Sequence, residues 1–160
     1  MTSPASDSSN TPEMAPDFAL PSTESALVTL SALRPAPVVL FFYPRDDTSG
    51  CTVENQDFTA LLPEFEKAGV RVFGISKDTL ASHEKFMAKK ALTVPLLSDA
   101  EGQTCEDYGV WVEKKMYGNT FMGIERSTFL VGAEGQIVQS WRKVKVPGHA
   151  QAVLDAARAL

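Results

Sequence analysis

Between Pro37 and Pro44 the chain reads VVLFFY, six consecutive apolar residues rich in β-branched and aromatic side chains. Successive side chains of a strand point to opposite sides of its sheet, so a strand with one wet face alternates polar and apolar positions. An unbroken apolar run predicts a strand covered on both faces. Such a strand needs a sheet with a further layer on each side. A chain of 160 residues can supply those layers around one core and is too short for two comfortable ones.

The flanking patterns supply the layers. After the strand comes RDDTSGC, a turn composition. From Thr52 to Lys67 the apolar positions Val53, Phe58, Leu61, Leu62 and Phe65 recur at helical spacing, and Gly69 closes the helix. Val70 to Ser76 reads as a second core strand. Asp78 or Thr79 is placed to cap a helix reaching about Lys90, with Leu80, Phe86 and Met87 facing inward. Val94 to Ser98 reads as a short strand, and Asp99 as the opening of a helix through Cys105 and Tyr108. A strand from Arg126 to Gly132, a turn at Ala133–Gly135 and a partner strand from Gln136 to Trp141 form a hairpin. Pro147 starts a terminal helix whose Val153, Leu154 and Ala157 face inward. Strands separated by helices imply a parallel core, to which the hairpin adds antiparallel edge strands. The expected class is α/β, with a central mixed β-sheet flanked by helices, the arrangement of thioredoxin-like folds. Trp111, Tyr117, Phe121 and Met122 fall in a stretch read as irregular, as core or pocket wall, with Phe121 or Met122 as a candidate apolar collar.

Charge narrows the partners. The net charge of −5 argues against nucleic acid and anionic membranes, both of which select basic surfaces. Arg142, Lys143 and Lys145 alternate with valines and read as a solvated strand end. No segment approaches the ~20 apolar residues of a membrane-spanning helix. Residues 1–14 lack the basic and apolar regions of a secretory signal and are too polar to order themselves. They are expected to be a flexible tail preceding one domain over residues 15–160, in a cytoplasmic protein. Two cysteines and two histidines without C-x-x-C or H-x-x-H spacing exclude a structural zinc site. No phosphate-cradling glycine motif is present, so no cofactor is expected. His83 and His149 are expected on the surface.

Chemistry then rests on the cysteines. Cys51 lies beyond the carboxyl end of the first buried strand, where ligands of open α/β sheets collect, and next to the start of a helix. Unpaired amides and the macrodipole at that position favour an anion, and the thiolate is the nucleophilic form of cysteine. Pro44-Arg-Asp-Asp-Thr48-Ser-Gly-Cys51 has the form P-x-x-x-T-x-x-C. Together with FFYPRDDTSGCTVENQDF, GISKD, LLSD, YGVW-EKKMYG and GIERSTFLV, in register over residues 15–155, the chain resembles the peroxiredoxins of the bacterioferritin-comigratory, or Q, type.

The resemblance implies a thiol-dependent peroxidase for hydrogen peroxide and organic hydroperoxides, recycled from a Cys51 sulfenic acid by thioredoxin or a similar thiol, as a monomer or weak dimer. It makes Thr48 a hydroxyl partner of peroxide and sulfur, and Pro44 a shield of the thiolate. Arg126 becomes a fork of donors to both, and Glu54 the group that orients Arg126. A thiol–disulfide oxidoreductase on the same fold needs C-x-x-C, whereas Cys51 is followed by Thr52, Val53 and Glu54. A peroxide-sensing or chaperone role is compatible as an addition. The resolving cysteines that family members carry five residues on or in the next helix are replaced here by Gln56 and about Met87. Cys105 remains as a possible resolving residue or a buried inert thiol; bridging it to Cys51 would require its helix to unwind.

Overall fold

The computed structural model describes residues 13–24 and 26–160. Strand β3 (Val38–Phe42) is completely buried and lies third in a five-stranded sheet of order β5-β4-β3-β8-β9. It runs parallel to β4 (Arg71–Ser76), which is parallel to β5 (Leu96–Ser98). On its other side β3 pairs antiparallel with β8 (Ser127–Val131), and β8 with β9 (Ile137–Trp141). The expected mixed sheet is present, and the hairpin's first strand is interior rather than an edge.

Alternation along β3 assigns its side chains to two cores. Val39, Phe41 and Tyr43 join Phe58 and Phe65 of helix α1 (Ser49–Lys67), Phe86 of α2 (Leu80–Lys90), and Val153, Leu154 and Ala157 of α4 (His149–Arg158). Val38, Leu40 and Phe42 join Phe18, Leu20 and Val28 from the β1–β2 hairpin (Ala19–Pro21, Leu27–Thr29), and Cys105, Tyr108 and Ile124. That N-terminal hairpin is absent from the sequence reading. Its strands have three residues each, too few for alternation to register.

Several expectations are corrected. Of the expected tail, residues 1–14, residues 1–12 lie outside the described residues; Met14 pairs with Gln136 and the Glu13 carbonyl accepts from the Ile137 amide. The segment holding Trp111, Phe121 and Met122 is a regular hairpin, β6 (Trp111–Met116) and β7 (Asn119–Ile124). Its two-residue turn has Tyr117 at φ 52° and Gly118 at φ 80°, the primed geometry that matches strand twist. The hairpin stands partly clear of the core, so Tyr117 is 96% exposed and Phe121 and Met122 are exposed rather than core. Helix α3 spans only Thr104–Asp107, so Cys105 lies in its first turn rather than two turns in. The Asp99 carboxylate still serves as a cap, accepting from the Thr104 and Cys105 amides at 3.1 and 2.8 Å. Both histidines are buried, and neither lies on the surface. No helix among the described residues is long and apolar enough to cross a membrane.

Helix α1 carries the site, and its seating depends on one ring pair. Phe58 stacks on Phe41 of β3 with centroids 4.3 Å apart and meets His149 of α4 edge-on. Replacing a fully buried phenylalanine by alanine removes its transfer free energy and leaves a cavity, at a cost of about 3–5 kcal/mol. Phe58→Ala is therefore expected to lower the midpoint of thermal unfolding by roughly 10 °C. Circular dichroism melts compared with a surface control such as Gln56→Ala check this.

Candidate functional site

Helix α1 begins at Ser49, three residues earlier than the apolar periodicity predicts, because Ser49 and Gly50 carry no apolar side chain to mark the first turn. Thr48 is its N-cap residue and its carbonyl accepts the first helical bond, from the Thr52 amide at 2.8 Å. Cys51 is thus the third helical residue, at the end where amides are unpaired. Its side chain is 1% exposed and packs with the β3 face that holds Phe41 and Tyr43.

Arg126, just before β8, reaches this sulfur: Nη2 donates to Cys51 Sγ at 3.5 Å. Its other terminal nitrogen, Nη1, donates to Glu54 Oε1 at 2.6 Å. One planar guanidinium therefore bridges a carboxylate and a thiol on adjacent turns of one helix. Burial works against the charge on Arg126, but Glu54 and then Cys51 outweigh it and raise its pKa. Glu54 is 1% exposed; burial pushes its pKa up to about 7 despite the pull of Arg126. Its second oxygen, Oε2, is buried without a hydrogen-bond partner among the described residues. Gly50 makes the approach possible, since a Cβ there would stand 3.2 Å from Arg126 Nη2.

Thr48 and Pro44 belong to the β3–α1 turn that leads into Cys51. The Thr48 hydroxyl is exposed and donates to the Arg45 carbonyl at 2.9 Å, which leaves its lone pairs free. Pro44 is half-buried and brings no N–H toward the site. The geometry brings Arg126 into direct contact with both Cys51 and Glu54, and places Thr48 at the N-cap of the helix that carries them. Cys105 is not among them. It packs in the core on the opposite face of the sheet, 0% exposed, and burial followed by Asp99 drives its thiol pKa strongly upward.

Three nearby features escape the sequence reading. His149 Nε2 pairs with the Thr128 hydroxyl at 2.8 Å, and burial followed by Arg126 pushes its pKa down to about 4, so the ring is neutral. Lys114 on β6 donates to the Ile124 carbonyl at 2.5 Å, and burial followed by Arg126 lowers its pKa. Behind the turn, one ligand-type atom from each of Asp46, Asp78 and His83 lies within 4.8 Å of the others, a grouping that no spacing rule suggests. Hydrogen bonds among these residues and with Tyr43, Ser76 and Ser82 account for it. A usable signal existed for His83 alone: it precedes Phe86 by three and Met87 by four, on the inward stripe of α2.

Comparison with known proteins places this geometry in a family. Residues 12–140 match the AhpC/TSA family. The chain is 50% identical to peroxiredoxin Bcp of Xanthomonas campestris over 143 residues, 89% of each chain. It is 41% identical to peroxiredoxin Bcp of Bacillus subtilis, covering 89% of this chain and 91% of that one. Among solved structures, X. campestris peroxiredoxin Q superposes with a TM-score of 0.84 at 50% identity, over 89% of this chain and 90% of that one. BcpB of Mycobacterium tuberculosis superposes at 0.81 with 33% identity, over 94% and 97%. This chain belongs to the AhpC/TSA family, among the peroxiredoxins of the Bcp or Q type.

Proposed function

We propose that this peroxiredoxin reduces hydrogen peroxide and organic hydroperoxides at Cys51. The observation that carries the reading is the guanidinium of Arg126 held between Glu54 and the Cys51 sulfur. Peroxide reduction is an in-line displacement. The thiolate attacks one oxygen, the O–O bond breaks, and the far oxygen leaves as hydroxide or alkoxide that takes up a proton. The product at Cys51 is a sulfenic acid. Such a site must stabilise negative charge on sulfur and then on the departing oxygen, and a fixed fork of donors suits both. Arg126 is that fork, Glu54 its positioning partner. The Thr48 hydroxyl, its proton committed to Arg45, accepts from the peroxide O–H, and Pro44 keeps a competing N–H out of the turn. The alkyl peroxide reduction activity described for the X. campestris bacterioferritin comigratory protein supports including organic hydroperoxides.

Recycling follows from where the second thiol lies. A disulfide needs Cα atoms within about 7 Å, and here the central sheet stands between the two cysteines. Gln56 is exposed and Met87 packs against the core in the positions where relatives carry resolving cysteines. The reading is therefore a one-cysteine cycle. An external thiol, from thioredoxin or a similar donor, attacks the sulfenic sulfur and releases water. A second thiol then frees Cys51 and leaves the donor as a disulfide.

Cys51→Ser is expected to reduce peroxide consumption to background, and retained activity would overturn the reading. Arg126→Ala should lower kcat/KM for hydrogen peroxide by roughly 10²–10³-fold, the effect typical of losing one charge-stabilising donor. Stopped-flow fluorescence or a reductase-coupled assay reads both.

Intact mass under denaturing, non-reducing conditions tests the cycle. Peroxide-treated protein should gain one oxygen or a thiol adduct, and loss of two hydrogens would implicate Cys105.

Glu54 also couples stability to pH. Unfolded, it ionises near its ordinary value of 4.5; folded, it keeps its proton to about 7. The native state therefore holds the extra proton across this window, and the Glu54 contribution is full below pH 4.5 and lost as pH rises through 7. Denaturant melts should show Glu54→Gln gaining on wild type by about 1–3 kcal/mol between pH 5 and 7.5. A constant difference would refute the assignment.

A further inference from the structure

The reaction described above leaves unused a largely buried polar cluster behind the β3–α1 turn. The side chains of Asp46 and His83 are 4% and 0% exposed, with Oδ2 and Nδ1 2.8 Å apart. His83 Nε2 faces the Leu97 carbonyl oxygen at 2.9 Å. A carbonyl only accepts, so Nε2 carries a hydrogen. The carboxylate opposite Nδ1 already takes the Tyr43 hydroxyl on Oδ1 at 2.6 Å and the Ser82 hydroxyl on Oδ2 at 2.8 Å. Tyr43 keeps its proton, because burial and the charge of Asp46 push its phenol well above the usual range. Two hydroxyl donors thus converge on Asp46, one on each oxygen, the pattern of an ionised carboxylate, and an ionised carboxylate opposite Nδ1 calls for a hydrogen there.

Charge in the cluster points the same way. The groups facing His83 are Tyr43 at the end of β3, Asp46 from the turn and Asp78 from the β4–α2 connection. Strand β5 contributes a carbonyl, and α2 itself contributes Ser82 and the apolar Phe86. Asp78 is a second carboxylate, accepting the Asp46 amide at 2.9 Å and the Ser76 hydroxyl at 2.6 Å. A neutral imidazole would leave two neighbouring carboxylates in the cluster without a cation among these groups.

We propose that His83 is held as an imidazolium and that its ion pair with Asp46 positions the turn that presents Thr48 and Cys51 to peroxide. The proposal rests on the peroxidase reading above. Asp46 precedes Thr48 by two residues and Cys51 by five. Between them Asp47 holds a left-handed φ of 60°, a conformation that persists where the surroundings over-determine it. Two of the turn's other side-chain ties, Lys89 to Asp47 at 2.7 Å and Thr48 to the Arg45 carbonyl, are exposed, and water screens the ion pair; the third, from the Asp46 amide to the Asp78 carboxylate at 2.9 Å, is part-buried and belongs to the same cluster. The Asp46–His83 pair is desolvated and bound on both ring nitrogens, so it sets where the turn stands. Arg126 arrives from a different strand, so its alignment with Thr48 and Sγ depends on that anchor. In-line attack on an O–O bond requires this alignment; alkylation of a thiolate does not.

Two measurements test the proposal. Long-range 1H–15N spectra of the reduced wild-type protein at neutral pH should show both ring nitrogens of His83 protonated. In parallel, kcat/KM for hydrogen peroxide and the rate of alkylation by iodoacetamide are measured per titrated Cys51 thiol on folded protein. His83→Gln and Asp46→Asn should lose about tenfold or more in peroxide reduction while alkylation changes much less. Ser82→Ala, which removes one donor to Asp46, should show a smaller shift in the same ratio and serves if the other variants do not fold. A merely structural role would lower stability and leave the ratio of the two rates unchanged. A singly protonated His83, or an unchanged ratio in an active protein, overturns the positioning role. A wild-type protein without peroxidase activity would instead sink the function it rests on.

Discussion

Strand β3 is buried along its whole length, and the rest of the molecule is arranged around that fact. Its alternate side chains need apolar partners on both sides of the sheet, so helices α1, α2 and α4 cover one face and the N-terminal hairpin with the α3 region covers the other. Because β3 is interior, its carboxyl end opens into a connection flanked by neighbouring strands on both sides. The β4–α2 connection brings Asp78 from one flank, and the start of β8 brings Arg126 from the other. A site built at that edge inherits the rigidity of the sheet, which is what an in-line reaction needs.

Within the site, charge is managed by bridging. Arg126 sits half-buried between a carboxylate and a thiol on successive turns of α1, so its desolvation is offset by two acceptors. Burial of Glu54 is the expensive part: one oxygen is bonded to Arg126, the other has no partner among the described residues, and the carboxyl holds its proton to about pH 7. A partly unsatisfied polar group at a reacting centre is the kind of local departure that folding tolerates where function requires it.

The same sheet that builds the site separates the two thiols. Cys51 belongs to the core above β3 and Cys105 to the core below it, and only the first stands beside a guanidinium. Burial and the Asp99 carboxylate keep Cys105 in its unreactive thiol form. Two cysteines of one chain thus have opposite chemical characters.

Much of this was legible in the residues. The unbroken run at Val38–Tyr43 determined a two-sided strand, the helical spacing of Phe58 and Phe65 determined the inward face of α1, and Pro44, Thr48, Cys51 and Arg126 identified the family by their pattern. These are local signals, carried by residues a few positions apart. The short β1–β2 strands and the polar β6–β7 hairpin were not legible, because alternation over three residues or across lysines and threonines carries no hydrophobic period. Nor was the burial of His83 and His149, since a histidine enters a core only when partners remote in sequence satisfy its nitrogens. The sequence by itself determined the sheet, its layers and the cysteine proposed as nucleophile. Only the tertiary structure decided which charges meet at that nucleophile and on which side of the sheet the second thiol lies, because those outcomes depend on strand order and on contacts between distant segments.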